Sequence, residues 1–98
     1  MHLDLDLDLD LDLDLDVGWR LSPSVSLRPE PFGALVYDFS TRRLSFLKSL
    51  LLLAVVRGLE QADDVHQALT AAGVGPGQRP AYVKALAGLA RTGTIQRR

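Results

Sequence analysis

Between residues 17 and 47, hydrophobic and polar residues alternate in short stretches. This pattern is typical of short β-strands. Three strand-forming stretches are separated by residues that favour turns: Ser24–Arg28 and Arg42–Leu47, which alternate, and Ala34–Phe39, which is mostly apolar. Pro29 and Pro31 are expected to end the first stretch, because proline cannot donate a ladder hydrogen bond. Gly33 permits the turn into the second stretch, and Asp38–Thr41 forms the turn out of it. The pattern predicts a three-stranded antiparallel sheet.

Apolar residues then recur at helical spacing, which predicts three helices. Capping residues and glycines set their limits. From the cap to the end, the predicted helices are Ser49 to Gly58, Asp63 or Asp64 to Gly73, and Pro80 to about Thr92. The segment Thr94–Gln96 is too short to assign, and a stub of a last strand there stays open. Three strands followed by three helices predict a compact α+β fold of winged-helix type.

The third predicted strand has two unlike faces. Leu44 and Phe46 lie on one face, whereas Arg43, Ser45 and Leu47 lie on the other. Leu44 and Phe46 are expected to enter the core. Arg43 and Leu47 are therefore expected to be the more open positions of this strand.

The first sixteen residues are distinct in sequence, because Leu3–Asp16 consists of seven consecutive Leu-Asp pairs. A period of two fits a strand better than a helix, but aligned aspartates repel each other and Asp is a poor strand former. We therefore expect residues 1–16 to be a disordered low-complexity tail and residues 17–98 to form the folding domain. A second interpretation stays open, in which this acidic segment folds back onto an open sheet edge and competes weakly with the true partner.

Charge divides the chain at the same boundary. Residues 1–16 carry seven Asp and no Lys or Arg, whereas residues 17–98 carry all eleven Lys and Arg against five acidic residues, a formal charge of +6. A basic surface favours an acidic peptide, nucleic acid or an acidic membrane, and composition alone does not choose among these partners.

Several classes of function are excluded by what the sequence lacks. The chain has no cysteine, which excludes disulfides and thiolate chemistry and favours a reducing cytoplasm. Its longest apolar run, Leu50–Val56, is far shorter than the roughly 20 residues that span a bilayer. Common catalytic and nucleotide-binding motifs are absent, and His66 beside Asp63 and Asp64 is explained by a solvated, capped helix start. We expect a cytoplasmic protein with no catalytic residues, metal, cofactor or membrane association.

Two segments of the chain resemble the peptide chaperones of mycofactocin biosynthesis: Trp19–Tyr37, WRLSPSVSLRPEPFGALVY, and Arg42–Lys48, RRLSFLK. That family belongs to the precursor-recognition domains (RiPP recognition elements) related to the D-type chaperone of pyrroloquinoline quinone synthesis. The resemblance extends from about Val17 to the C-terminus. It implies a non-catalytic chaperone that binds the acidic leader of a ribosomally made precursor peptide and presents it to a radical S-adenosylmethionine (SAM) maturase.

The resemblance also implies a binding site, because in the family the leader adds as a strand beside the third strand and packs against the third helix. Carried over by position, the site consists of Arg42, Arg43, Leu44, Ser45, Phe46, Leu47, Tyr82, Val83, Leu86, Leu89 and Ala90. Core packing is the simpler explanation for several large apolar members of this set. Arg43, Leu47 and Tyr82 are therefore the stronger candidates.

A winged-helix DNA-binding protein is the alternative, because such domains often bind DNA and residues 17–98 are basic. The third predicted helix has only Arg79, Lys84 and Arg91 as charged residues and lacks the Asn, Gln or clustered Arg of a base-reading helix. Contacts of Arg97 and Arg98 with phosphates stay open. The basic domain suits an acidic leader, and the peptide hypothesis is preferred.

Overall fold

The computed structural model of the chain describes residues 13–98, which form an α+β fold. Strands β2 (Val25–Glu30), β3 (Gly33–Asp38) and β4 (Arg43–Leu47) form one antiparallel sheet in that order. A second sheet pairs β1 (Trp19–Leu21) with β5 (Ile95–Arg97) and so joins the two ends of the domain. The predicted three-stranded sheet is confirmed, and the last strand left open by the sequence is present. The winged-helix description of this arrangement stays a prediction.

Three helices follow β4, as predicted: α1 (Leu50–Gly58), α2 (Val65–Ala72) and α3 (Arg79–Arg91), with a short 3-10 turn at Leu59–Gln61 after α1. The Ser49 hydroxyl accepts a hydrogen bond from the backbone N–H of Leu52 and caps α1. Asp64, rather than Asp63, caps α2 by accepting from the N–H of Gln67. Gly73 ends α2 in the left-handed conformation, with φ 87°. Among residues 13–98, no helix has the length and apolar character needed to cross a membrane.

The core lies between the inner face of the three-stranded sheet and the helices. Ala34 and Val36 supply the centre of the sheet side, and Val55 and Leu86 are among the fully buried residues of the helices. Burial of these apolar side chains is the main stabilising contribution to a domain of this size. The described helices therefore cover the inner face of the sheet, because their buried residues and those of the sheet belong to one core cluster.

Two Leu-Asp pairs from the end of the predicted tail contact this core. Leu13 is buried, Leu15 packs against the buried cluster, and the carbonyl oxygen of Leu15 accepts a 3.1 Å hydrogen bond from the N–H of Val65. The prediction of disorder falls mainly on residues 1–12, which lie outside the described residues. The boundary between tail and domain therefore stays a prediction, and a truncation that preserves these contacts should keep Leu13 and the residues after it.

Proline 29 lies inside β2, although the sequence predicted that it would end the strand. The pair Glu30 and Gly33 closes the two-residue turn Pro31–Phe32, and Pro29 pairs with Ala34 one step further from the turn. A pair that closes a two-residue turn exchanges hydrogen bonds, so the next pair does not. Pro29 therefore occupies a position of the ladder where its missing N–H has no consequence for the pairing.

Candidate functional site

Strand β4 is an open edge of the three-stranded sheet, because within residues 13–98 only β3 pairs with it. The alternation set by the Glu30–Gly33 pair directs the backbone groups of Ala34 and Val36 away from β2 and towards β4. Their partners on β4 use their own N–H and C=O groups for these bonds. The backbone N–H and C=O groups of Leu44 and Phe46 therefore point outwards, away from β3.

The side chains of β4 face the opposite way from the prediction. Leu44 and Phe46, expected in the core, are 58% and 51% exposed, whereas Leu47, expected to be open, is only 3% exposed. The register gives the reason, since Leu47 lies directly opposite the buried Ala34 and two residues at the same pair share a face. Arg43 and Ser45 share the helix-facing side with Leu47 and are exposed.

A groove of about 650 Å³ separates β4 from the C-terminal end of α3. It lies on the helix side of the open edge. Its lining comprises Val36, Asp38, Thr41, Arg43, Leu44, Ser45, Arg91, Thr92 and Thr94. Among the described residues, no group of three or more His, Cys, Asp or Glu side chains is placed so that it could hold a metal ion. The groove is therefore suited to hold a chain segment that pairs with β4, by backbone bonds at the edge and side-chain contacts inside.

None of the predicted residues of α3 lines this groove. Leu86 is fully buried in the core, and Leu89 and Ala90 are partly buried against it. The Tyr82 hydroxyl lies 3.1 Å from the Ser49 hydroxyl, close to the end of β4. The remaining member, Val83, lines a different hollow together with Leu15, Pro76, Arg79, Pro80 and Lys84.

Sequence reasoning missed the residues at the other end of the groove. Arg91, Thr92 and Thr94 come from the end of α3 and the turn behind it, where the sequence predicted only a helix end and an unassigned segment. One signal was present, because Arg91 directly follows the predicted wall residue Ala90. Arg42, which was predicted as a binding-site residue, lies in the turn before β4 with φ 59°. It is not part of the groove lining.

Asp38 stabilises the turn that leads into β4. One of its carboxylate oxygens accepts hydrogen bonds from the Ser40 hydroxyl at 2.7 Å, the Ser40 N–H at 2.9 Å and the Ser24 hydroxyl at 3.2 Å. These bonds, first the one from the Ser40 hydroxyl, lower the pKa of Asp38 below its ordinary value of 3.8. The charged carboxylate therefore connects the end of β3 with the start of β2.

Acid should weaken this turn. Since the pKa of Asp38 is lowered in the folded state, its stabilising contribution is present above pH 3.8 and is lost as the pH falls through the folded-state pKa. We expect wild type to be more stable than Asp38→Asn at neutral pH and the difference to shrink in acid. Urea unfolding of both proteins between pH 7 and 2.5 measures it. A difference that does not change with pH would contradict this role of the carboxylate.

The outer face of the sheet, away from the helices, exposes large apolar side chains. Phe32 and Phe39 are 46% and 60% exposed, and Leu44 and Phe46 lie on the same side. The rings of Phe32 and Phe46 are 6.1 Å apart, and those of Tyr37 and Phe39 meet edge to face at 4.9 Å. We call Phe32, Phe39, Leu44 and Phe46 the outer face. Exposed apolar clusters of this kind are typical of surfaces that contact another molecule.

Comparison with known proteins gives a consistent result. The model of the peptide chaperone MftB family matches residues 18–96. Peptide chaperone MftB of Mycobacterium ulcerans (strain Agy99) is 55% identical over 73 residues, which are 74% of this chain and 67% of that protein. The proteins of the same name from Mycobacterium tuberculosis and Mycolicibacterium smegmatis are 52% and 47% identical over 73 and 79 residues, covering 74% and 81% of this chain and 67% and 78% of those proteins. No solved structure matches the chain with significance.

Proposed function

This chain belongs to the peptide chaperone MftB family, and we propose that it binds the acidic leader of a mycofactocin precursor peptide as a strand added to β4. The observation that supports this mode of binding is the open edge, where the backbone groups of Leu44 and Phe46 point away from β3. An extended peptide pairs with such groups through its own backbone and gains specificity from alternate side-chain pockets. The groove beside the edge provides space for those side chains.

Charge also supports an acidic leader. Residues 17–98 carry a formal charge of +6, and two of the cations, Arg43 and Arg91, line the groove itself. Opposite charge raises the rate of encounter and disfavours basic peptides. The chaperone would do no chemistry on the peptide, and we propose that it is not an enzyme. We propose the cytoplasm as its compartment, because the chain contains no cysteine.

Calorimetric titration with the precursor peptide tests this function. The probe is a short acidic precursor peptide of mycofactocin biosynthesis, titrated into the full chain at low and moderate salt. We expect saturable binding of one peptide per chain, weakened by salt because part of the attraction is electrostatic. Absence of heat from folded protein at both salt concentrations would overturn the proposal and make the DNA-binding alternative the next to test.

Presentation of the peptide to a radical SAM maturase, the second half of the proposal, requires a surface for the enzyme. The outer face is continuous with the peptide edge, because Leu44 belongs to the outer face and also lines the groove. An enzyme seated on the outer face would therefore be next to a peptide held on β4. We propose that the outer face docks the maturase, so that the bound peptide is held at a high effective concentration beside its active site.

Replacing Phe39 with serine should separate the two binding events. Phe39 is 60% exposed and does not line the groove, so we expect peptide affinity to be unchanged and affinity for the maturase to fall about fivefold or more. Leu50→Ser is the matched control, because Leu50 is similarly exposed but lies on α1. Biolayer interferometry with immobilised maturase measures the effect. Equal losses in both variants, or no loss in either, would contradict docking on the outer face.

A further inference from the structure

The pleat of β4 determines which side chains of an added strand enter the groove. Residues paired across neighbouring strands point to the same face of a sheet. Peptide residues opposite Leu44 and Phe46 therefore place their side chains on the outer face, beside these two apolar residues. The peptide residue between them, opposite Ser45, places its side chain in the groove.

Two guanidinium groups line the groove that this inward side chain would enter. Arg43 shares the inner face of β4 with Ser45, and Arg91 approaches the groove from the end of α3. The salt bridges found among residues 13–98 involve neither arginine. The acidic residue that lines the groove, Asp38, accepts its hydrogen bonds from Ser24, directly before β2, and from Ser40, in the turn before β4. The groove thus offers two cations and one carboxylate that is already hydrogen-bonded elsewhere.

We propose that Arg43 and Arg91 form a subsite for one acidic side chain of the bound peptide, at the position opposite Ser45 or one inward position further along β4. This inference rests on the proposed function and adds to it a rule for the ligand. The peptide segment on β4 carries Asp or Glu at an inward position between two apolar residues at outward positions. Arginine suits this task because its planar guanidinium binds a carboxylate with two parallel hydrogen bonds.

The subsite fixes the register of the added strand. Backbone pairing along an open edge tolerates a shift by two residues, because such a shift returns each side chain to the same face. A single acidic residue held by two arginines removes that freedom, since only one alignment places its carboxylate between them. A fixed register would in turn fix how far the end of the peptide extends from the chaperone.

A structural explanation of Arg91 has to be separated from this role in binding. A cation in the last turn of a helix interacts favourably with the helix dipole, and Arg91 is the basic residue in the last turn of α3. That effect would alter stability and leave peptide selectivity unchanged. The test therefore changes charges on both the protein and the peptide and asks whether one change compensates for the other. It also includes the thermal unfolding of each variant.

The experiment is a charge scan of the precursor peptide against the full chain. Each Asp or Glu of the leader is replaced in turn by Asn or Gln, and affinity is measured by calorimetry. We expect one position to dominate, with a loss of about tenfold or more from the missing charge-assisted hydrogen bonds, and the others to change affinity less. Arg91→Glu should weaken binding of the wild-type peptide to a similar degree. A peptide with Lys at the dominant position should bind the Arg91→Glu protein with restored affinity.

Lys84→Glu is the matched control. It makes the same charge change on the same helix, but Lys84 lines the hollow near Leu15 and not the groove. If Lys84→Glu weakens binding as much as Arg91→Glu, the effect is general attraction and the subsite is overturned. Equal small losses at every acidic position of a peptide that binds would also overturn the subsite and leave the chaperone function intact. No binding of the wild-type peptide would overturn both.

Discussion

Replacing Leu44 with proline should weaken binding of the precursor peptide about tenfold to a hundredfold while the protein stays folded. Proline removes the N–H of residue 44, which points outwards, and leaves the peptide carbonyl that would accept from it without a partner. The pairing of β4 with β3 needs no hydrogen bond from this residue, since its backbone faces the open edge. Calorimetry with the precursor peptide measures the affinity, and circular dichroism measures the thermal unfolding.

Leu44→Ala is the control for this variant, because it removes most of the same side chain and keeps the backbone N–H. Leu44 is 58% exposed in the free protein, so its truncation should cost little stability and less than about tenfold in peptide affinity. The comparison therefore isolates the backbone contribution. Equal affinities of the proline and alanine variants would contradict binding by strand addition at β4.

Replacing Gly33 with alanine should destabilise the domain by about 3 kcal/mol, which lowers Tm by roughly 12–24 °C for a domain of this size. Gly33 begins β3 with φ +150°, a backbone conformation that residues with a side chain rarely adopt. An added Cβ would also overlap the carbonyl oxygen of Leu47 and lie 2.8 Å from the backbone nitrogen of Ser49. Both atoms are backbone, so the conflict is relieved only by moving the end of β4.

Gly88→Ala provides the matched control with an effect of opposite sign. Gly88 lies within α3, and a Cβ added there meets no atom within 4 Å. Alanine is the better helix former, so we expect stabilisation of about 0.5–1 kcal/mol. Differential scanning calorimetry of the two variants tests the pair of predictions. If Gly33→Ala unfolds within a few degrees of wild type, the close approach of Gly33 to β4 is wrong.

The order of elements could be predicted from the sequence because local signals fix it. Caps such as Ser49 and the stop at Gly73 act through bonds to their own helix, which depend on few distant residues. Pro29 shows the limit of such rules. Whether a proline ends a strand depends on which ladder position it occupies, and that position follows from pairing with β3 rather than from the residue itself.

The sequence does not predict which face of β4 points to the core, because both of its faces carry apolar side chains. Leu44 and Phe46 outnumber Leu47, so the pattern of one strand favours the wrong face. The register with Ala34 and Val36 decides the matter, since a slip of one residue exchanges the two faces. Leu44 and Phe46, which are left outside, then form half of the outer face.

Only the β4 side of the groove could be predicted, because the position of its other end depends on tertiary structure. Its β4 side followed from the resemblance by position, but its other end depends on where α3 stops relative to the β3–β4 turn. That distance is a tertiary property of the fold. The sequence therefore identifies Arg91 only as a charged residue of the third helix, whereas the structure places it in the same groove as Arg43.

Amide hydrogen exchange, followed residue by residue by NMR with and without saturating precursor peptide, tests strand addition most directly. The amides of Leu44 and Phe46 face the open edge of β4, and the amide of Leu27 faces the other open edge, on β2. Binding on β4 predicts that exchange slows at Leu44 and Phe46 and stays the same at Leu27. Slowing at Leu27 alone, or unchanged exchange at all three amides of a saturated complex, would contradict a peptide strand on β4.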